Sequence, residues 1–183
     1  MIKKLSLTTV ALSALLLTGC GGGGASNDET LQDKLLGTWE LTEDNTTGCY
    51  NDTDDGTSEN IELKIEKNKF ILEEKTYSEF ECKEGDLSHH QTSTYSYTLG
   101  GKVKNSKNKD ATEIDVRKTK FTLHKGQSDG TGLDDIGKID YGMIKLTDGK
   151  LRFSDGDRSK LDGSSKEKRS NQFSSNEYWT KNN

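Results

Sequence analysis

Apolar and polar side chains alternate along most of this chain with a period of two, and no stretch sustains a helical period. Ile61, Leu63 and Ile65 alternate with Glu62 and Lys64. Tyr95, Tyr97 and Leu99 alternate with Ser96 and Thr98, and Ile114 and Val116 with Asp115 and Arg117. Phe121 and Leu123 flank Thr122. Successive side chains of an extended strand face opposite ways, so each run carries one apolar and one polar face. Shorter runs at Gly37 to Leu41, Lys69 to Glu74, Tyr141 to Leu146, Lys150 to Ser154 and Tyr178-Trp179 read the same way. Tyr77 to Cys82 reads as the continuation of the Lys69 strand after a bend.

Turn signals separate these runs. Lys67-Asn68 and Gly100-Gly101 mark two turns. Asp148-Gly149 marks the clearest, a two-residue hairpin of the type I′ kind. Before the first run, Leu31, Leu35 and Leu36 fit a turn or two of helix, with Asp28 or Thr30 as its cap. The pattern predicts an all-β domain, a small antiparallel barrel of about eight strands, with a β-sandwich as the alternative. The outward faces carry Glu62, Lys64, Asp115 and Arg117, where a membrane-spanning barrel needs an apolar band. That architecture is therefore excluded.

Only 28% of the residues are hydrophobic, which implies a thin core. Cys49 and Cys82, left after Cys20 is set aside, form an even pair that reads as a disulfide in an exported protein. Acidic and basic residues are interspersed along the chain. No basic stripe of the kind that nucleic acid or anionic lipid requires stands out in the sequence. Asn105 to Asp110 and Asp157 to Asn171 are charged, serine- and lysine-rich stretches that read as mobile loops.

Lys3 and Lys4, the uncharged stretch from Leu5 to Leu17, and small residues before Cys20 have the layout of a secretory leader. The apolar run is shorter than the roughly 20 residues of a spanning helix. Leu17-Thr18-Gly19-Cys20 resembles the lipobox of bacterial lipoproteins. The resemblance implies cleavage before Cys20 and lipidation of that cysteine, with palmitate or another acyl chain. Residues 1–19 are then the signal peptide, 20–29 a glycine-rich tether, and 30–183 the folded domain. Loss of Lys3 and Lys4 leaves 24 basic against 31 acidic side chains, a formal net charge of −7. Gly21 follows Cys20 where an aspartate would signal retention, so resemblance to the enterobacterial sorting rule implies the outer membrane.

Leu35-Leu36-Gly37-Thr38-Trp39 resembles the opening of lipocalin-like domains, whose glycine-x-tryptophan motif starts the first strand. There the tryptophan plugs the barrel floor beside a short N-terminal helix. Asp140-Tyr141 resembles part of that family's second motif, with Ile139 in place of its threonine. The family's arginine near the last strand, which stacks on the tryptophan, is missing. Lys181 is the residue here that could substitute. The resemblance implies an up-and-down barrel that holds a small apolar ligand, lined by Trp39, Tyr95, Tyr97 and Phe121. The other reading is a filled barrel that acts as an envelope or surface interaction protein.

Nothing in the sequence points to catalysis. No nucleophile elbow, phosphate loop or metalloprotease motif is present. His89-His90 and His124 are the only histidines, and adjacent histidines on a strand face opposite ways. They are expected in a solvated loop. Asn51 to Glu62 mimics a calcium loop, with Gly56 at the turn, but Thr53 and the absence of flanking helices break that pattern. No enzyme activity, cofactor, metal or nucleic-acid partner is expected; the bilayer, reached through acylated Cys20, is the expected partner.

Lipidation is directly testable. Expressed in its bacterial host, the chain should incorporate palmitate and partition into a detergent phase. Cys20→Ser should abolish both; a Cys20→Ser protein that still labels and sediments with membranes refutes the assignment.

Overall fold

The computed structural model describes residues 30–43, 46–126, 131–155 and 163–182. Cys20 and the tether lie outside them. A short helix α1 (Leu31–Leu35) leads into strand β1 (Gly37–Glu43). Thr30 caps the helix: its hydroxyl accepts from the Asp33 amide, and the Asp33 carboxylate accepts from the Thr30 amide.

Two short strands follow, β2 (Thr46–Thr47) and β3 (Cys49–Asp52). A meander then runs through β4 (Thr57–Glu66), β5 (Lys69–Tyr77), β6 (Leu87–Lys104), β7 (Asp110–Lys125), β8 (Ile139–Thr147) and β9 (Lys150–Asp155). A helical turn α2 (Thr131–Asp134) precedes β8, and β10 (Gln172–Phe173) and β11 (Glu177–Lys181) end the chain. Every pairing is antiparallel. β1 pairs with both β4 and β11, and β11 pairs with β9, so the sheet closes on itself. The result is a lipocalin-like, up-and-down barrel of eight strands.

Alternation decides which side chains enter the barrel. Leu35, Trp39, Leu63, Ile65, Phe70, Tyr97, Ile114, Ile144 and Leu151 form one buried cluster. Cross-strand partners such as Ile65 with Phe70 and Tyr97 with Val116 keep the apolar faces aligned. Asp148 (φ 53°) and Gly149 (φ 71°) both adopt the left-handed conformation that a type I′ turn demands.

Three expectations are corrected. Gly100-Gly101 is not a turn; β6 continues to Lys104 through a bulge between Leu99 and Lys102. The glycine permits a close crossing, because a Cβ on Gly100 would stand 2.8 Å from Cβ of Glu113. Strand β5 ends at Tyr77, and residues 78–86 form a loop with Cys82 in the left-handed region (φ 47°). Residues 163–171 are packed, not loose: Tyr141 N donates to Gly163 O at 2.9 Å and Ser170 N to Tyr141 O at 3.0 Å.

Cys49 and Cys82 are joined, with Cα atoms 5.9 Å apart and a sequence separation of 33. The bond ties β3 to the β5–β6 loop. Replacing both cysteines by alanine should cost roughly 4 kcal/mol in the chain-entropy account of loop closure. Denaturant unfolding measures this; an unchanged midpoint would show that the cross-link leaves the unfolded chain's entropy untouched.

Candidate functional site

The barrel interior divides into a buried floor and an upper half whose inward side chains are half-buried. At the floor, α1 lies across the end of the barrel. Its last carbonyls have no partners within the helix. Trp39 Nε1 donates to Leu35 O at 2.8 Å, and Lys181 Nζ donates to Lys34 O at 3.4 Å. Lys181 is the register partner of Trp39 and carries its ammonium 5.6 Å from the indole centroid. It thus occupies the place of the missing arginine. Its stem also explains Gly37, where a Cβ would meet Lys181 Cε at 2.8 Å and the backbone has φ 128°.

Tyr97 belongs to the same plug. Its ring stacks on Phe70 at 4.1 Å, and its hydroxyl donates to Glu66 O at 3.0 Å while accepting from Gln32 Nε2. Trp39 is 1% exposed and Tyr97 7%. Of the four residues expected to line a ligand site, these two are therefore packed into the floor. Tyr95 and Phe121 stand higher.

In the upper half, Phe121 is the register partner of buried Ser93, and Tyr95 is the partner of Lys118 across a bulge. Tyr95, Lys118, Phe121 and Leu123 all remain half-buried. Lys118 Nζ lies 5.0 Å from the Phe121 centroid and 6.0 Å from that of Tyr95. Such a cation is attracted by the negative ring faces. Gln91 Nε2 donates to Glu74 at 2.8 Å on the same inner face. Burial raises the Tyr95 hydroxyl above its ordinary range, against a hydrogen bond from Ser93 that lowers it. The phenol is therefore a neutral hydrogen-bonding group at any physiological pH. Sequence alternation found Tyr95 and Phe121; Lys118 continues the inward series of Ile114 and Val116, and the bulge at Thr119 then brings Phe121 and Leu123 onto the same face.

The other candidates are dispersed. His89 and His90 lie within β6, not in a loop. His89 Nε2 contacts Gln91 at 3.1 Å, whereas His90 Nε2 contacts Glu73 at 2.8 Å and its ring stacks on His124 at 4.4 Å. Asn51 Oδ1 accepts from the Glu81 amide and Asp52 Oδ1 from the Asp54 amide, so both serve loops. No group of three or more potential metal ligands occurs among the described residues.

One feature gave no signal in the sequence. Arg169, with its side chain 10% exposed, lies against β7 and β8. Its Nη1 donates to the carbonyls of Ile114 and Gly142, each at 2.9 Å. Nε pairs with Glu113 at 3.2 Å and Nη2 with Asp115 at 2.7 Å. A planar fork with fixed donors suits such a site where lysine would not.

No known protein-family model matches the chain, and no curated protein resembles it in sequence. The fold and the geometry above therefore carry the functional argument.

The outer face holds a testable electrostatic conflict. Glu62 stands directly opposite Glu40 on β1 and Glu73 on β5. Burial, followed by the charges of Glu73 and Glu40, raises the Glu62 carboxyl above its ordinary range, against the lowering effect of Lys75 and Lys64. A raised folded-state value means that ionised Glu62 opposes folding at neutral pH, and that the penalty fades as acid protonates it. Glu62→Gln should therefore stabilise the protein at pH near 7 by roughly 0.5 kcal/mol. The gain should vanish below about pH 4.3, the value of an unperturbed glutamate. Thermal melts across that range decide the matter; a gain that persists in acid refutes the charge origin.

Proposed function

We propose that this chain is a membrane-anchored lipoprotein whose barrel takes a small apolar or amphipathic ligand into its upper half. The observation that carries the reading is the division of the inward-facing positions. Below, Trp39, Phe70 and Tyr97 are closed against one another. Above, Tyr95, Phe121 and Leu123 present half-buried apolar surface, with the Lys118 ammonium beside the two rings. Small-molecule sites combine aromatic walls with a few polar groups, and barrel mouths are a common place for them. The ligand accordingly has an apolar body against the two rings and a polar or anionic end at Lys118. The lipobox-like LTGC supplies the anchor, and Gly21 after it points to the outer membrane.

A second reading is a surface interaction protein. Phe80, in the β5–β6 loop, and Leu133 and Ile136, between β7 and β8, are exposed at 42%, 56% and 44%. Both loops sit at the barrel mouth, so a protein partner could use them without any ligand inside.

Laurate is a suitable probe for separating the two. Native mass spectrometry and calorimetric titration should show one molecule bound. Tyr95→Ala and Phe121→Ala should each weaken binding on the order of tenfold, in line with the loss of buried aromatic surface. Leu133→Ser, on the rim, should leave it unchanged. A protein that binds neither laurate nor another apolar probe, with all variants folded, leaves the interaction reading in its place.

A further inference from the structure

The up-and-down topology sends alternate connections to the same end of the barrel. The floor receives the β4–β5, β6–β7 and β8–β9 turns together with α1 and the end of β11. The mouth receives the β3–β4 turn, the β5–β6 loop and the α2 segment. Charges that are interspersed along the sequence are thereby sorted along the barrel axis.

The floor is basic. Lys102, Lys109 and Lys145 line a groove of about 630 Å³ together with Leu31, Leu146 and buried Ile144. Lys34, Lys102 and Lys181 line a second, of about 740 Å³, with Thr30, Leu31 and Leu146. Lys102, Leu31 and Leu146 belong to both, so the two grooves are continuous. Among the described residues, Lys34, Lys102, Lys109 and Lys145 form no ion pair. Asp110 is hydrogen-bonded to Lys104 at 2.7 Å and flanked by Lys102 and Lys145; the floor also carries Asp33 on α1, Glu66, paired with Lys64 and Lys69, and Asp148 in the β8–β9 turn. Leu36 adds an exposed apolar side chain beside α1.

The mouth is acidic. Asp54 and Asp55 sit in the β3–β4 turn, and Glu79, Glu81, Glu84 and Asp86 in the β5–β6 loop. Asp134 and Asp135 follow on the α2 segment. Lys83 and Lys138 are engaged there, with Glu81 at 2.9 Å and Asp135 at 2.6 Å.

We propose that the lysine-lined floor rests on an anionic phospholipid surface, with lipid phosphates against the two grooves and the mouth turned away from the bilayer. The chain enters the fold at Thr30, which itself lines the second groove. Cys20 lies ten residues earlier, a span of at most roughly 35 Å, so an anchored chain reaches the membrane floor-first. A net-negative protein is repelled by anionic lipid as a whole. Screening removes that objection: the Debye length is about 8 Å at physiological salt. The nine residues of β5 extend roughly 30 Å, which a strand tilt of about 35–45° reduces to roughly 20–25 Å along the barrel axis. The mouth's carboxylates are thus roughly two to three screening lengths from a surface that the floor touches. Lysines near such a surface are attracted one by one, and their effects accumulate. The orientation rests on the lipoprotein reading; the contact chemistry does not.

The test uses the full chain carrying Cys20→Ser, so that no lipid anchors it, in sedimentation with vesicles. The vesicles are pure phosphatidylcholine, or phosphatidylcholine with about one-third phosphatidylglycerol. Binding is expected to be stronger to the mixed vesicles, and this excess to be lost as salt shortens the Debye length toward about 3 Å. Lys102→Glu, Lys109→Glu and Lys145→Glu together should weaken it on the order of 100-fold. The corresponding Lys→Gln variants should give an intermediate loss if the reversed set folds poorly. Lys83→Glu and Lys138→Glu, at the mouth, should change nothing. All forms carry the same leader, which therefore contributes equally. Equal binding to both vesicles, equal loss from the mouth variants, or binding to heparin without binding to mixed vesicles overturns the proposal. If the host does not lipidate Cys20 and the floor still binds vesicles, the lipoprotein reading alone fails. If Cys20 is lipidated and the Cys20→Ser chain ignores mixed vesicles, the floor contact alone fails.

Discussion

The closure of the barrel depends on one crossing, where Gly37, Trp39 and Lys181 meet under α1. A closed sheet has no free edge, but it must bring its first and last strands into register. Here β1 pairs with β11 on one side and β4 on the other. Trp39 and Lys181 are opposite each other in that register, and each gives a donor to a terminal carbonyl of α1. The helix is too short to persist on its own. It is held because its Leu35 is fully buried and its orphan carbonyls are satisfied by the two strands it covers. Gly37 is required by its positive φ, and the end of the Lys181 side chain packs into the space a Cβ would take.

A core this small leaves the periphery to be fastened by other means. The disulfide fixes β3 and the β5–β6 loop at the mouth. Cys82 N donates to Ser58 Oγ at 3.0 Å, and Ser58, fully buried, passes its own proton to Glu79 O. On the opposite side, β8 and β9 separate above Ile144, and residues 163–171 enter the gap. Ser154 Oγ accepts from the Met143 amide at 2.6 Å and contacts Ser170 at 2.9 Å, replacing the strand pairing that is lost there. Arg169 then binds two carbonyls and two carboxylates at once. An arginine this buried is tolerated because both the charge and the donors are matched; deleting one side of such an arrangement typically costs about 3–5 kcal/mol.

What the sequence revealed and what it concealed follow from range. The fold class was readable because period-two alternation is a local signal, repeated in Ile61-Leu63-Ile65, Tyr95-Tyr97-Leu99 and Ile114-Val116. The Asp148-Gly149 turn and the Gly-x-Trp opening were readable for the same reason. Gly100-Gly101 misled because glycine serves a tight turn and a close strand crossing equally well; only the Glu113 side chain opposite decides between them. His89-His90 looked like loop residues because their polar neighbours hide the strand that continues through them. Of the site residues, Tyr95 and Phe121 follow from alternation. The floor positions of Trp39 and Tyr97 follow from the helix beneath them; Lys118 continues the Ile114-Val116 alternation, and the one-residue bulge after it is what keeps Phe121 inward. Arg169 was invisible because its partners, Ile114, Gly142, Glu113 and Asp115, lie 27 to 56 residues away along the chain.

The same argument accounts for the charge separation. Along the chain, lysines and carboxylates fall in short blocks: residues 102–109 carry four lysines and no carboxylate, and residues 79–86 four carboxylates and one lysine. An up-and-down barrel applies a second alternation, one connection up and the next down, with a period of two strands. Lys67-Asn68, the Asn105-to-Lys109 turn and Asp148-Gly149 fall on one phase of that alternation; Thr53-to-Gly56, the Glu79-to-Asp86 loop and Asp134-Asp135 fall on the other. Short blocks of one sign thus become a difference between the two ends of one domain. Because adjacent strands are antiparallel, this sorting needs no long-range pairing of charges and leaves the barrel wall free to alternate for the core. The end that is basic is also the end that α1 closes, so packing and charge both set the floor apart from the mouth.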